Sequence, residues 1–463
     1  MKKIVIAILI FVLALALYLT FIHESASPAN FIFTLKDDGT YSAEINTLQY
    51  CSKIKLPDTY KGKPVTEISK QIKTDKESED TTDIVLPDLL RSVLRFVFSG
   101  HTRLKRVTLP DTVTVIGNRA FSECRSLESI SISESVTRIG AKAFNNCDSL
   151  TSIVIPDSVT EIDVGAFISC NNLRSVILPR SITSISALVF QGCGIPTITI
   201  PDNVKSIETG AFSYSGITEI TIPDSVTNID IGAFDCCTSL QSVTIGSGIE
   251  TIEQSVFRGC TSLTSVVIPD NIVSIDNFAF HDCDSLASVT LGTGLTSIGV
   301  DAFIGCYQLV EVINLSSLEL TDSMNDRCGI AKYAKIVHTS DSKLIDLDGF
   351  LFISVDGTNY LLGSVDKKSS IVLPSDFNGE SYEIYNFAFR NDKSLTDIII
   401  PSGVKGIGNS AFWGCNNLKS IKYCGTEEAW SSIAKGRDWD EYSKFGYGSS
   451  RINYKMIYNY SYN

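Results

Sequence analysis

Cysteine is the residue type in this sequence whose number and spacing most suggest chemistry. The chain has 13 cysteines, and nine of them recur at one position of an internal repeat. Regularly spaced thiols in an exported protein suggest disulfides, metal ligands or redox groups. The nine are Cys124, Cys147, Cys170, Cys193, Cys237, Cys260, Cys283, Cys306 and Cys415.

Geometry favours a structural role for these nine cysteines. Equivalent side chains of stacked coils lie about 4.8 Å apart, beyond the ~3.8 Å between the Cβ atoms of a disulfide. We therefore predict a ladder of buried thiols that pack as small apolar groups. Four cysteines lie outside the ladder, and a pair among them could be bridged: Cys51, Cys236, Cys328 and Cys424.

Other residues that commonly carry catalysis are sparse. The four histidines, His23, His101, His281 and His338, are far apart, and none is placed beside a nucleophile or a second ligand. The sequence contains no HExxH, no GxSxG and no phosphate-binding glycine loop. We predict no catalytic residue, no metal site and no cofactor.

Aspartates that follow proline form a second periodic set, at Asp157, Asp202, Asp224 and Asp270. Aspartate commonly bonds the backbone of its own turn, so we interpret these residues as turn formers. A calcium ladder is the alternative. It is disfavoured because each coil offers one carboxylate, whereas calcium takes six or more oxygen ligands.

These residues are positioned by the units of an internal repeat, each of which contains a phenylalanine at the same position. The phenylalanines recur every 23 residues, with two gaps of 22 around Phe212, from Phe121 to Phe303 and again at Phe389 and Phe412. Fixed periodicity of this length predicts a solenoid. In each coil, alternation such as Ser152-Ile153-Val154-Ile155-Pro156 predicts a short strand ended by proline. The following Gly165-Ala166-Phe167 predicts one short helical turn.

The outward positions of these strands are the candidate ligand-binding residues. They form a flat surface of hydroxyls and small apolar groups, which also simply suits an exposed sheet. Ser288 and Thr290 continue this surface in a later repeat. The residues that we select are Ser152, Val154, Ser175, Ile177, Thr197, Thr199, Thr221 and Thr244.

The ends of the chain differ from the repeats. Lys2 and Lys3 precede an uncharged run, Ile4–Ile22, that predicts either an N-terminal membrane anchor or a cleaved signal peptide. Two Asp-Gly hairpins are predicted around Gly39 and Gly349. We divide the chain into a leader or anchor at 1–29, an irregular N-terminal cap at 30–97, a main repeat array at 98–309, a non-repeat β-hairpin insertion at 310–387, two further repeats at 388–422 and an aromatic C-terminal cap at 423–463.

The repeat resembles that of the BspA-type, or Treponema-type, leucine-rich repeat surface proteins. Ile139 to Thr160 carries the pattern Ile-Gly-x-x-Ala-Phe-x-x-Cys-x-x-Leu-x-x-Ile-x-Ile-Pro-x-x-Val-Thr. The resemblance implies a right-handed, leucine-rich-repeat-like solenoid with short parallel strands, one helical turn per coil of 22–23 residues and β-rich caps. It also implies a surface protein, since some members adhere to host matrix proteins or other bacteria.

Composition limits the partners of such a protein. Acidic residues outnumber basic ones 52 to 39, and the net charge of −13 argues against nucleic acid or an anionic membrane as the ligand. We expect a non-enzymatic, monomeric scaffold at the cell surface, or secreted if the leader is cleaved, that binds an extracellular protein or glycan. It touches a membrane only through its N-terminal segment. A structural spacer and a carbohydrate-active β-solenoid enzyme remain as alternatives.

Overall fold

The structure is a computed structural model of the chain. It describes residues 31–45, 53–68, 83–86, 92–93, 95–320, 328–330, 334, 336–339, 344–355, 357–443 and 449–461. The chain forms two compact units: unit 1 ends at Cys260 and unit 2 begins at Thr261. Each unit is a solenoid of stacked coils, and the predicted solenoid fold is confirmed.

Unit 1 is built from short parallel strands that recur once or twice per coil. Register pairs such as Ser152↔Ser175 join residues one repeat apart, because each strand stacks on its equivalent in the next coil. The strands are β1 Phe31–Leu35, β2 Tyr41–Ile45, β3 Lys53–Lys55, β4 Thr59–Tyr60, β5 Lys63–Ile68, β6 Asp83–Val85, β7 Ser92–Val93, β8 Arg106–Thr108, β9 Val115–Ile116, β10 Ser129–Ser131, β11 Arg138–Ile139, β12 Ser152–Val154, β13 Glu161–Ile162, β14 Ser175–Ile177, β15 Ser184–Ile185, β16 Ser206–Ile207, β17 Glu219–Ile222, β18 Asn228–Ile229, β19 Ser242–Ile245 and β20 Thr251–Ile252.

These strands lie on two sides of the coil. We call the strands at the repeat position that a proline follows in most coils the front strands; they form the ladders β3-β6-β8-β10, β12-β14 and β17-β19. The back strands form the ladder β1-β2-β5-β7-β9-β11-β13, with β4 beside β5, and the ladder β15-β16-β18. The predicted N-terminal hairpin is confirmed, since β1 and β2 pair antiparallel, and β2 then pairs parallel with β5.

The interior of unit 1 is a stack of phenylalanine rings. Neighbouring rings from Phe98 to Phe257 lie 5.1–5.7 Å apart between centroids, with interplanar angles of 18° or less. All are almost fully buried. One coil alone cannot cover a ring on both faces, so each coil depends on its neighbours for its core.

The predicted helical turn around each phenylalanine is not formed. The Cys147 N–H donates three residues back to the Phe144 carbonyl at 3.2 Å, but the Phe144 N–H donates to Ala166 of the next coil at 2.8 Å. Asn146 has a φ of 57°, in the left-handed region. The segment is a run of turns, because alternate N–H groups bond between coils instead of along a helix.

Unit 2 repeats this architecture and adds an antiparallel hairpin. Its front ladders are β21-β23-β25-β26 and β30-β32-β34-β38, and β27-β28-β29 form the predicted hairpin next to β31, β33 and β35. Its elements are β21 Ser265–Ile268, β22 Ser274–Ile275, β23 Ser288–Leu291, β24 Ser297–Ile298, β25 Glu311–Asn314, β26 Ile336–His338, β27 Ile345–Leu347, β28 Phe350–Val355, β29 Thr358–Ser364, β30 Ser370–Val372, β31 Tyr382–Ile384, β32 Asp397–Ile400, β33 Val404–Ile407, β34 Ser420–Tyr423, α1 Glu427–Ser432, β35 Ala434–Lys435, β36 Glu441–Ser443, β37 Ser449–Arg451 and β38 Lys455–Ile457.

The hairpin of unit 2 covers part of that unit's front side. Ile353 and Leu362 from the hairpin pack with Ala287 and Val310 in one buried apolar cluster. Ser288, which the sequence placed on the exposed face, is only 6% exposed. That expectation is wrong for Ser288, whose hydroxyl donates to the fully buried Glu311 of the next coil at 2.8 Å.

The leader falls outside the described residues, and its two interpretations stay predictions. Elsewhere, in the ranges that the structure describes, no helix is both long enough and apolar enough to cross a bilayer. The charged segment from Lys73 onward, before β6, is likewise outside the described ranges.

Candidate ligand-binding face

The eight residues selected from the sequence lie on one side of unit 1. All of them are exposed, while the residues between them point inward and are buried, as in the exposed-buried-exposed pattern of β12 and β14. We call this surface the front face of unit 1. It consists of the outward side chains of β8, β10, β12, β14, Thr197–Ile200, β17 and β19.

The front face carries an exposed apolar pair. Val154 is 59% exposed and Ile177 is 56% exposed, and the two are register partners on adjacent strands. Neighbouring paired strands lie about 4.7–4.9 Å apart, so these register partners have adjacent side chains. A partner that binds this face would therefore bury apolar surface as well as hydroxyl groups.

The front ladder is interrupted between β10 and β12 and again at the coil of Thr197–Ile200, which we call the interrupted coil. Thr197–Ile200 alternates exposed and buried like its neighbours but forms no strand. Within residues 171–222, all of which the structure describes, no backbone hydrogen bond joins Thr197–Ile200 to β14 or β17. The nearest such bond runs from the Thr218 N–H to the Pro196 carbonyl at 2.8 Å.

Pro196 accounts for the start of this interruption. In other coils the residue at this position donates its N–H to the equivalent residue of the preceding coil, as Arg174 does to Thr151 at 2.8 Å. Proline has no N–H, so the corresponding bond to Arg174 cannot form. Two repeats have 22 residues instead of 23. In both, a single glycine, Gly194 or Gly216, stands where the other repeats have two residues, shortly before this position.

Gly194 is required by the close passage of the chain. A Cβ atom there would lie 1.3 Å from Nη1 of Arg174 and 2.5 Å from the Asn171 carbonyl oxygen. The Arg174 guanidinium crosses this gap and donates to that carbonyl at 2.8 Å. The shortened coil therefore places an arginine at the edge of the interruption.

Two clefts open at the interrupted coil. One, of about 470 Å³, is lined by residues of β14 and by Arg180, Thr199, Asp202 and Asn203. The other, of about 720 Å³, brings together five of the eight selected residues beside Arg174 and Glu219: Ser175, Thr197, Thr199, Thr221 and Thr244. Ile177 lines the first cleft, whereas Ser152 and Val154 line neither.

The cysteine ladder is confirmed as buried thiols. All nine repeat cysteines are free and buried, and the off-ladder Cys236, Cys328 and Cys424 are also free; Cys51 lies outside the described residues. The Cys147 thiol donates to the Phe121 carbonyl of the preceding coil at 3.2 Å, and seven others repeat this contact at 2.8–3.4 Å. Burial raises the pKa of Cys124 and Cys237 to about 12, which suppresses the reactive thiolate.

The prediction that the recurrent aspartates bond their own turns is wrong. The Asp224 carboxylate accepts from the Ser247 N–H, and the Asp270 carboxylate from the Thr293 N–H, both at 2.7 Å and one coil ahead. These bonds lower the pKa of both carboxyls. Stacking explains the difference, because it brings the next coil's N–H within reach. In the described part of the chain, no group of three or more possible ligands is arranged for a metal ion.

Two histidines acquire buried partners that sequence reasoning missed. His101 occupies a cysteine position. Its ring Nδ1–H donates to the Phe98 carbonyl of its own coil at 2.9 Å, and burial lowers its pKa. In unit 2, the fully buried Glu311 accepts from Ser288 at 2.8 Å and contacts His338 at 3.1 Å. The serine bonds the carboxylate and not the imidazole, so this is not a nucleophile–base pair. The sequence feature that could have predicted a buried carboxylate is the position of Glu311 among the apolar Val310, Val312 and Ile313.

Stacked coils with parallel ladders and an interior of leucine, isoleucine and phenylalanine define a leucine-rich repeat solenoid. The pattern described as "BspA type Leucine rich repeat region" matches in six copies, over residues 76–196, 183–310 and 367–434, which is more than half of the chain. The chain therefore belongs to the BspA-type leucine-rich repeat family.

Solved structures of leucine-rich repeat proteins from two bacteria are similar to this chain. A leucine-rich repeat protein from Bacteroides ovatus is 25% identical, with a TM-score of 0.49, over 92% of this chain and 98% of that one. A leucine-rich cell surface protein from Faecalibacterium prausnitzii is 26% identical, with a TM-score of 0.44, over 88% of this chain and 97% of that one. No curated protein matches the sequence.

Proposed function

We propose that this chain is a non-enzymatic binding scaffold of the cell surface, and that the front face of unit 1 adheres to an extracellular protein or glycan. The observation that carries the proposal is the open front face, with Val154 and Ile177 exposed side by side among hydroxyls. An extended solenoid surface collects many weak contacts without moving, which suits adhesion.

Membership of the family supports the same conclusion, since the resemblance implies surface proteins and, for some members, adhesins. The mode of attachment belongs to the proposal as well. The N-terminal run either anchors the chain or directs its secretion, and the monomer presents the front face outward.

A binding screen tests the proposal. The purified chain is presented to matrix proteins, mucins and a glycan array, beside a variant with Ser152, Ser175, Thr197 and Thr221 changed to Lys. The control variant carries four lysines on outward back positions, Glu161, Ser184, Ser206 and Asn228. We expect a ligand that the front variant loses and the back variant keeps. Equal loss in both folded variants, or no ligand for the native chain, would overturn the proposal.

A further inference from the structure

The interrupted coil leaves extended backbone without strand partners. β14 pairs with β12 on one side, and β17 pairs with β19 on the other; among the described residues, neither pairs with Thr197–Ile200 between them. Backbone N–H and C=O groups require hydrogen-bond partners, and an unpaired strand edge is a template for another extended chain. The interruption thus offers several rows of main-chain donors and acceptors.

The two clefts give a ligand access to these groups. Their volumes of about 470 and 720 Å³ fall within the range of ligand sites in proteins. Ser175, Thr197 and Thr199 are exposed and small, so they leave the backbone within reach.

Four charged side chains at the clefts have no ionic partner. Arg174 and Arg180 flank β14, while Asp202 and Glu219 lie on the coils opposite. None of the four forms an ion pair within the described residues, whereas other charges of unit 1 do, as in Arg138–Asp163 at 2.8 Å. A partner with charges of both signs would complement these walls.

In unit 2, a segment of the same chain covers part of the front side, and its character can be compared with what the front face of unit 1 would bind. Ala287 and Val310 hold the repeat position of Arg174 and are covered by β-strands of the hairpin through Ile353 and Leu362. In unit 1 the same position is polar and exposed, as Thr151, Arg174 and Gln241. The covering segment in unit 2 is therefore extended and apolar, and the one suited to unit 1 is extended and charged.

We propose that the clefts at Thr197–Ile200 bind an extended, charged peptide segment of a partner protein, an inference that rests on the proposed function. The peptide pairs its backbone with the free strand edges, a known mode of peptide recognition. Its acidic side chains meet Arg174 and Arg180, and its basic side chains meet Asp202 and Glu219. Arg174 precedes β14 and Arg180 follows it, so the acidic residues lie toward opposite ends of the peptide.

Synthetic peptides test this inference on the full chain. The probes are acetylated, amidated nine-residue peptides of alternating Thr and Val. One carries Glu at positions 2 and 8 and Lys at positions 4 and 6 and is called the Glu peptide; the other, called the Lys peptide, has Glu and Lys exchanged. Binding is measured by fluorescence anisotropy. We expect the Glu peptide to bind more tightly than the Lys peptide. Arg174→Glu should weaken the Glu peptide about fivefold to tenfold, since it replaces attraction by repulsion.

Matched variants separate the cleft from general charge. Thr151→Glu puts the same carboxylate at the same repeat position one coil earlier and should change binding less than about twofold. Thr199→Trp should remove binding by filling both clefts, and circular dichroism checks that it folds. Equal effects of the two Glu variants, or binding that survives Thr199→Trp, would overturn the inference. Capture of a glycan or matrix protein with no peptide binding would overturn it while the proposed function stands; capture of nothing would overturn both.

Discussion

At the scale of the residue, the phenylalanine and cysteine positions explain why the repeat tolerates little change. Each ring lies between two others, and each thiol lies beside a carbonyl of the preceding coil. Neither side chain faces solvent, so the strict periodicity of both residues is a packing requirement. It carries no information about a ligand.

Removing one ring from the stack should be costly. Phe234 is fully buried, with its ring 5.3 Å from Phe212 and 5.5 Å from Phe257. Phe234→Ala should lower the free energy of unfolding by about 3–5 kcal/mol, measured by urea denaturation. Tyr214→Ala, at a residue 59% exposed, is the control and should change it by less than about 0.5 kcal/mol. A loss below about 1 kcal/mol for Phe234→Ala would contradict an interior stack.

The thiol ladder should make the protein sensitive to alkali. Burial raises the pKa of Cys124 and Cys237 to about 12, above the unfolded value of about 8.5. The contribution of these thiols to the free energy of unfolding is complete below about pH 8.5. It is lost as the pH rises toward about 12, because the thiols of the unfolded chain ionise first. At pH 10 the loss should reach about 2 kcal/mol for each thiol.

The measurement is urea unfolding at pH 7.5 and pH 10, compared with a variant in which Cys124 and Cys237 are changed to Ala. Other groups titrate in this range, so the difference between the two proteins is the quantity of interest. Identical pH dependence in both would show that these thiols do not ionise on unfolding.

At the scale of the element, proline determines where the front ladder can continue. Most front strands are followed by a proline, which ends the strand without removing a ladder bond. Pro196 instead stands before its strand segment, at a position where other coils donate an N–H to the preceding coil. The same residue type therefore ends strands in most coils and interrupts the ladder in one.

The aspartate after the proline connects successive coils, and its removal should weaken that connection. Asp224→Ala deletes the bond from the Ser247 N–H and should lower the urea midpoint. Asp202→Ala, at the equivalent site beside the cleft, removes no such bond and is the control. Because its pKa is lowered, Asp224 stabilises the fold above its unfolded pKa and loses this effect as the pH falls. The two variants should therefore differ at pH 7 and converge near pH 2; equal midpoints at pH 7 would refute this role.

At the scale of the whole molecule, the two units differ in how much of the front side is exposed. Unit 1 leaves its front face open, whereas unit 2 covers Ala287 and Val310 with its own hairpin. The covered coils also contain the buried Glu311 with its partners Ser288 and His338. The open face of unit 1 is consequently the part of the chain available to a ligand in our proposal.

Detaching the hairpin should expose the front strands beneath it. Ile353 is fully buried in the cluster with Ala287 and Val310. Ile353→Asp would bury an unpaired carboxylate there, so we expect a loss of several kcal/mol and faster amide hydrogen exchange in β23. Ser354→Asp, on the adjacent exposed residue, is the matched control and should leave β23 protected. Unchanged exchange in Ile353→Asp would show that the hairpin does not protect this strand.

The sequence by itself determined the solenoid, the interior phenylalanines and cysteines, and the exposure of Ser152, Val154 and the other selected residues. Each follows from a pattern within one or two repeats, because stacking places equivalent residues together. Tertiary structure alone decided that Asp224 bonds the next coil, that clefts open at the coil of Pro196, and that Ser288 is buried beside Glu311. These outcomes depend on distances between segments that are remote along the chain, and local periodicity does not contain them.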